Sequence, residues 1–146
     1  MHSHIIKLAN TDEEILRCFS VMQELRTHLS DAHEFLQRVR QQQSAGYLLL
    51  AAWQDGQVIA LAGYRYQQNL IHGQFAYVDD LVTTASMRRH QCGQLLLEYI
   101  FAEAKNRKCS KVILDTGLAN NLAQRFYYRM GMLATGLHFS FTLNDS

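Results

Sequence analysis

The sequence predicts a single α+β layered domain over residues 1–146, in which helices flank a mixed central sheet. Asp55-Gly56 separates two apolar runs, which is the pattern of a β-hairpin. One amphipathic helix separates the strand at 74–83 from the strand at 111–115, so these two should be parallel neighbours joined by a right-handed crossover. A length of 146 residues with 48% hydrophobic content suits one domain with a substantial core. The predicted element order is β-α-α-β-β-β-α-β-α-β.

Local patterns near the N-terminus indicate the first strand and the first helix. Ile5–Leu8 is a short apolar run that predicts a strand. Thr11 then offers an N-cap, and Glu14 three positions later completes the pattern of a capping box. Apolar residues at spacings of three and four continue this helix to Leu29.

A second helix precedes the hairpin. It is predicted to begin near Ser30 or Asp31 and to end at Gly46, which suits a C-terminal cap. Residues 47–54 and 57–67 are then the two antiparallel strands of the hairpin.

The hairpin continues into a meander and a crossover. Residues 68–73 form a second turn, after which 74–83 adds a third strand. Helical periodicity runs over 95–108, and the positive charges at its end complement a helix C-terminus. A short buried strand is predicted at 111–115.

A helix and closing strands are predicted at the C-terminal end. Leu122–Met130 is helical in pattern, and Gly131 ends the helix. Residues 133–143 are predicted to close the sheet as its last strands. Because exposed edge strands pair readily with another chain, a homodimer is one expectation.

Residues 88–94 connect the strand at 74–83 to the next helix. A turn there directs free backbone N–H groups and the positive end of a helix at one place, which favours a bound phosphate. It also lies at the carboxyl end of a strand, where the sheet changes from antiparallel to parallel and ligands tend to bind. On its own, the segment is equally compatible with an ordinary basic turn that caps a helix.

Composition excludes several classes of function. The formal net charge is +1 and the basic residues are dispersed, so no nucleic-acid partner is expected. The three cysteines occur singly and the histidines show no ligand spacing, so neither a disulfide framework nor a metal site is expected. The longest apolar run is too short to cross a bilayer, and we expect a cytoplasmic protein without a membrane partner.

Two motifs resemble those of one enzyme family, the GCN5-related N-acetyltransferases (GNAT). Residues 88–93, Arg-Arg-His-Gln-Cys-Gly, resemble its motif R/Q-x-x-G-x-G/A, although Gln91 replaces the first glycine. Downstream, the pattern N-x-x-A-x-x-[hydrophobic]-Y-x-x-x-G is matched in full. Its residues are Asn120, Ala123, Phe126, Tyr127 and Gly131. The resemblance spans about Tyr47 to Phe141 and implies the GNAT acyl-CoA N-acyltransferase fold.

The resemblance implies an enzyme that transfers an acetyl group from acetyl-CoA, its cosubstrate, by direct attack of a primary amine, without a metal. The strand before the loop would offer backbone groups to the pantetheine arm, and the loop would hold the pyrophosphate. The cofactor-binding residues implied are Leu81, Val82, Thr83, Arg88, Arg89, His90, Gln91, Cys92, Gly93, Gln94, Asn120 and Tyr127.

The resemblance also implies catalytic roles. Residues 77–80, Tyr-Val-Asp-Asp, are similar to the Y-[LV]-[ED]-D segment of diamine and polyamine acetyltransferases, in which the first acidic residue is the base. Asp79 is then the expected base and Tyr127 the expected acid that protonates the departing thiolate. Asp80 is expected to contact a cationic substrate or to cap a backbone group. Consecutive strand residues point to opposite faces, so both carboxylates share one cleft only if a bulge intervenes.

Alternatives remain open for these residues. Asp79 and Asp80 also suit a solvated strand end. Cys92, near a helix N-terminus and basic neighbours, is expected to have a lowered thiol pKa and is either a nucleophile or an incidental loop residue. A positive φ at Gln91 would cost roughly 1–2 kcal/mol. Two alternative functions are also considered. One is a non-catalytic acyl-CoA-binding or regulatory module, and the other is an acetyltransferase that acts on a protein or on aminoacyl-tRNA.

Overall fold

The computed structural model describes residues 4–87 and 91–144. The chain divides into two compact units, Met1–Leu114 and Asp115–Ser146. The elements of the first unit are β1 (Ile5–Leu8), α1 (Asp12–Arg17), α2 (Phe19–Leu25), α3 (Ala32–Gln43), β2 (Leu48–Gln54), β3 (Gln57–Asn69), β4 (Gly73–Thr83), α4 (Cys92–Asn106) and β5 (Lys111–Leu114). The second unit contains α5 (Asn121–Arg129).

The five strands form one mixed sheet in the order β1-β2-β3-β4-β5. The first four strands pair antiparallel with their neighbours, and β4 pairs parallel with β5. A parallel pair requires a crossover connection, and α4 provides it. The predicted meander and the predicted parallel pair are both confirmed.

The N-terminal helical region begins as predicted and then departs from the prediction. The backbone N–H of Glu14 donates to Thr11 Oγ1 at 3.1 Å and Glu14 Oε1 accepts from the Thr11 N–H at 3.0 Å, which completes the capping box. The single helix predicted as far as Leu29 is instead divided at Cys18 into α1 and α2, and it ends at Leu25. The Cys18 thiol donates to the Glu14 carbonyl, while the Cys18 N–H bonds to Ile15. The thiol thus replaces the regular backbone donor, and the turn tightens.

The predicted turns are confirmed by backbone geometry. Asp55 and Gly56 have φ values of 53° and 78°, as a two-residue hairpin turn requires. The side chain of Asp31 caps α3, and Gly46 follows that helix with φ of 98°. In the β3–β4 turn, Asn69 Oδ1 accepts the N–H groups of the two residues before Gly73.

The core of the first unit lies on both faces of the sheet. On one face, Leu49 and Ala51 of β2 pack in a buried apolar cluster with residues of α1, α2 and α3, such as Ile15. The alternate residues of β2 point to the opposite face, and α4 packs against β2, β3 and β4 there. The apolar side of α4 is fully buried at Leu96 and Leu97. Helices therefore flank the sheet, as predicted.

In the second unit, α5 is confirmed but the closing strands are not. The Asn120 side chain accepts from the Ala123 N–H at 3.1 Å, and Gly131 follows α5 with φ of 87°. Over the described residues 132–144 there is no strand, so the predicted strands at 133–143 are wrong. A strand is defined by pairing to a neighbour, and the apolar pattern of this segment does not itself supply one.

Within the part of the chain that the structure describes, no helix is long and apolar enough to cross a membrane.

Candidate active site

Strand β4 extends well beyond its parallel neighbour. The pairing of β4 with β5 ends where Val78 lies opposite Leu114, the last residue of β5. Strand β4 continues to Thr83, and within residues 4–87 and 91–144 its only strand partner over this stretch is β3. Strand backbone groups point alternately to both sides, so the edge of β4 that faces away from β3 offers hydrogen-bonding groups beyond Val78. The three residues predicted to contact pantetheine, 81–83, lie on this stretch.

A β-bulge interrupts the β3–β4 ladder at the predicted catalytic residue. Asp80 lies opposite Gly63 and Val78 lies opposite Tyr64, so Asp79 is an extra residue with no partner in β3. A bulge removes the strict alternation of side chains at that point. The condition under which both carboxylates can share one side of the sheet is therefore met.

The two carboxylates lie in one group of charged and polar side chains, which we term the bulge cluster: Arg26, Tyr47, Arg65, Asp79 and Asp80. Arg65 Nε donates to Asp79 Oδ2 at 2.8 Å. The guanidinium of Arg65 also lies 5.3 Å from the centre of the Tyr47 ring. The Asp79 side chain is 31% exposed, so it remains accessible from solvent although it is ion-paired.

Asp80 is held more completely than Asp79. Arg26 Nε donates to Asp80 Oδ1 at 2.9 Å, and the Tyr47 hydroxyl donates to Oδ2 at 2.8 Å. Arg26 Nη2 also donates to the Asp79 carbonyl oxygen at 2.8 Å. The Asp80 side chain is only 14% exposed. A cationic substrate at Asp80, as predicted from the sequence, would have to compete with both of these donors.

Sequence reasoning placed Tyr47 in a strand and missed its role in this cluster. Its side chain is 4% exposed. Burial, and secondly the negative charge of Asp80, raise the pKa of Tyr47 well above 10, so the phenol stays a proton donor. A Cβ at Gly63 would collide with the phenol, so only glycine leaves room for it. An isolated glycine in an apolar strand indicates a bulge or a close approach, and this signal was present in the sequence.

The helix start that follows the predicted phosphate loop is partly described. Arg88, Arg89 and His90 lie outside the residues that the structure describes. Gln91 is the N-cap of α4 and has φ of 59°, the left-handed conformation that glycine would adopt without strain. The first-turn N–H groups of an α-helix have no intrahelical acceptors, and Gly93 and Gln94 belong to this turn of α4. This geometry suits an anion.

The burial of the Cys92 thiol argues against a role as a nucleophile. Cys92 is 1% exposed, and burial raises the pKa of its thiol. The expectation that nearby positive charge lowers this pKa is wrong, because desolvation disfavours the thiolate. The Cys92 thiol thus has neither the exposure nor the lowered pKa that a cysteine nucleophile needs.

In the second unit, Asn120 and Tyr127 lie at the start and in the last part of α5. Asn120 uses its side chain to cap the helix. Burial raises the pKa of the half-buried Tyr127 phenol, so it is protonated at neutral pH. Its neighbour Tyr128 is 55% exposed. Tyr127 is therefore the more sheltered of the two, and its role as acid stays a prediction.

Comparison with known proteins identifies the family. Residues 9–132 match the acetyltransferase (GNAT) family. The chain belongs to this family. An uncharacterized N-acetyltransferase of Bacillus subtilis (strain 168), YhdJ, is 33% identical over 123 residues, which cover 84% of this chain and 86% of that protein. The protein is accordingly an N-acetyltransferase, and acetyltransferases of the GNAT family use acetyl-CoA.

Solved structures share the fold at low sequence identity. Glucosamine-6-phosphate N-acetyltransferase from Arabidopsis thaliana has a TM-score of 0.79 at 21% identity, with 97% of this chain and 99% of that chain covered. The aminoglycoside N-acetyltransferase AAC(6')-Iy in complex with CoA has a TM-score of 0.84 at 14% identity, covering 97% and 95%. Both similarities confirm the GNAT fold.

Proposed function

We propose that the protein transfers the acetyl group of acetyl-CoA directly to the primary amine of a small molecule. The observation that carries this proposal is the free edge of β4 at residues 81–83, which pairs with no other strand on the side away from β3 among the described residues. Such an edge suits an extended arm with amide groups, because strand addition satisfies backbone donors and acceptors. The start of α4 suits the diphosphate at the other end of that arm. These backbone features fit acetyl-CoA.

We assign the proton transfers to Asp79 and Tyr127. A protonated amine is not nucleophilic, and Asp79, accessible and held by Arg65, accepts its proton through water. Tyr127, which is kept protonated by burial, donates to the sulfur as the thiol leaves. We also propose that residues 1–146 form one domain, which the family match over residues 9–132 supports.

The charges of the bulge cluster bear on the class of amine. Asp79 pairs with Arg65 and Asp80 pairs with Arg26, so each carboxylate is matched by one cation. This pairing removes the negative charge that would attract a polyamine. We therefore propose a small amine that does not need a second positive charge for binding.

A ligand-binding assay followed by turnover tests the proposed function. Acetyl-CoA at about 100 times its dissociation constant should stabilise the protein by about 2.7 kcal/mol, which a thermal-unfolding shift would reveal. Release of free thiol should then depend on an added small amine, with amine-free hydrolysis as the control. The absence of any shift at millimolar acetyl-CoA contradicts the proposal.

Compartment and assembly remain proposals. Cys18 is a buried free thiol, which supports a reducing compartment such as the cytoplasm. The expected homodimer was based on final strands that the described residues do not form. The exposed apolar side chains of Leu137, Phe139 and Phe141 support it instead, and light scattering of the purified protein tests it.

A further inference from the structure

The bulge in β4 is held by contacts that come from outside its own strand pair. The extra residue of a bulge is left unpaired in the ladder, so the Asp79 carbonyl needs another donor. Arg26, the residue after α2, supplies this donor and at the same time binds the Asp80 carboxylate. One guanidinium thus joins the backbone of the bulged residue to the side chain of the next residue. A lysine could not hold both with the same directed geometry.

A second contact fixes the other side of the Asp80 carboxylate. The Tyr47 hydroxyl donates to Asp80 Oδ2. The phenol occupies the space that the missing side chain of Gly63 leaves. Gly63 is itself the residue opposite Asp80 in the ladder. Tyr47, the residue before β2, therefore links the start of that strand to the bulge across β3. The contact is buried, and its hydrogen bond to an ionised acceptor belongs to the stronger class.

These contacts leave Asp80 little capacity for a substrate. One oxygen is occupied by Arg26 and the other by Tyr47, and the side chain is largely buried. Asp79, in contrast, is bound on one oxygen by Arg65 and remains more exposed. Asp80 is thus bound on both oxygens and buried, whereas Asp79 keeps an oxygen accessible to a ligand.

We infer that Arg26 and Tyr47 are positioning residues that act through Asp80, holding the β4 bulge so that the Asp79 carboxylate and the free β4 edge keep a fixed relative geometry. This inference rests on the proposed function for its catalytic consequence. It assigns Asp80 to the architecture of the site rather than to substrate recognition.

Tyr47→Phe and Arg26→Gln test the inference, each with a matched control. Tyr64→Phe removes another buried hydroxyl, one that bonds to Glu103 at 3.2 Å. Arg40→Gln removes a guanidinium that binds a carboxylate and a backbone carbonyl, Asp12 and Asn10, in the same way as Arg26 binds its partners. Each control therefore makes the same substitution as its test variant, at a position outside the bulge cluster.

The expected result is a fall in kcat of roughly 10- to 100-fold for both test variants, because small displacements of reacting groups cost rate steeply. The KM for acetyl-CoA should change by no more than about threefold, since Val82 and Thr83 pair with β3 beyond the bulge. Arg26→Lys should recover part of the loss. If both test variants keep the kcat of their controls, the inference is overturned.

Amide hydrogen exchange provides a readout that does not depend on turnover. The amides of residues 79–81 should lose protection in Tyr47→Phe and Arg26→Gln, while β1 and α4 keep theirs. The controls should show no such local loss. Unchanged protection at 79–81 overturns the inference even if activity falls.

The two readouts separate this inference from the proposed function. If the wild-type protein acetylates no amine, the proposed function fails, and the exchange result alone decides whether Arg26 and Tyr47 hold the bulge. If the wild type is active and the test variants match their controls in both readouts, only the positioning role fails.

Discussion

The bulge of β4 and the start of α4 contribute to the same proposed site but are built by different means. The bulge residues Asp79 and Asp80 are held by side chains from three other parts of the first unit, at positions 26, 47 and 65. The start of α4 depends on the conformation of a single residue, Gln91, and on backbone groups of the first helical turn. Long-range side-chain contacts therefore hold the residues of the proposed chemistry, whereas local backbone geometry forms the proposed anion site.

The largest effect is expected at Asp79, the bulge residue that is proposed to accept the proton. Asp79→Asn keeps an oxygen for Arg65 but removes the proton acceptor, so kcat should fall by about 10²–10⁴-fold. Asp12→Asn, which changes another arginine-paired carboxylate, serves as the control. Full activity of Asp79→Asn at every pH would show that Asp79 is not the catalytic base.

Tyr127→Phe extends the test to the second unit. If the phenol protonates the leaving thiolate, turnover should fall by about 100-fold, with a much smaller change in the dissociation constant of acetyl-CoA. Tyr128→Phe, on the exposed side of α5, should leave both unchanged. Equal losses of turnover and of binding in Tyr127→Phe would indicate a packing role.

Gly63→Ala tests how tightly the bulge is built. The new Cβ collides with the Tyr47 phenol, so the free energy of unfolding should drop by about 1–3 kcal/mol through overpacking. Urea denaturation measures this drop. Gly117→Ala, at a position where an added Cβ meets nothing within 4 Å, is the control. A stability equal to that of the wild type would mean that the phenol has room to move.

Gln91→Gly tests the other half of the comparison. Removing the side chain from a left-handed position should stabilise the protein by about 1 kcal/mol and strengthen acetyl-CoA binding. Lys108→Gly relieves a similar φ of 62° at the far end of α4 and should stabilise without affecting binding. If both substitutions change acetyl-CoA affinity equally, backbone strain at Gln91 does not bear on the anion site.

Glu14→Gln should have the smallest effect. It measures the stability contributed by the capping box, a contact that is determined by local sequence alone. Hydrogen bonds from the backbone of Thr11 and Asn10, followed by Lys7, lower the pKa of Glu14 from 4.5 to about 2. Its contribution to stability is therefore present above pH 4.5 and is lost as the pH falls towards 2. Chemical denaturation across this range should show the variant less stable at pH 6 and equal to the wild type near pH 2.

Local sequence was sufficient for features that depend on neighbouring residues. The capping box at Thr11, the turn at Asp55-Gly56 and the cap of α5 at Asn120 were predicted because each is decided within a few residues. The break at Cys18 was not, since it depends on which donor reaches the Glu14 carbonyl. The strands predicted at 133–143 failed because apolar spacing does not specify a pairing partner.

The site was predictable to a similar degree. The sequence singled out Asp79 and Asp80 and recognised that a bulge would be needed to place them together. It did not show that Arg26 and Tyr47 would bind Asp80, because contacts across more than 30 residues depend on the assembled sheet. Gly63 was the visible sign of this contact, and it marks where a close approach had to occur.

The burial of Cys92 has a consequence for any anion bound at the start of α4. Cys92 is the first helical residue, directly after Gln91, and it is anchored in the core together with Leu96 and Leu97. The first-turn N–H groups are therefore preorganised by packing before a ligand arrives. Binding there loses little conformational entropy of the protein, which favours affinity without any new contact.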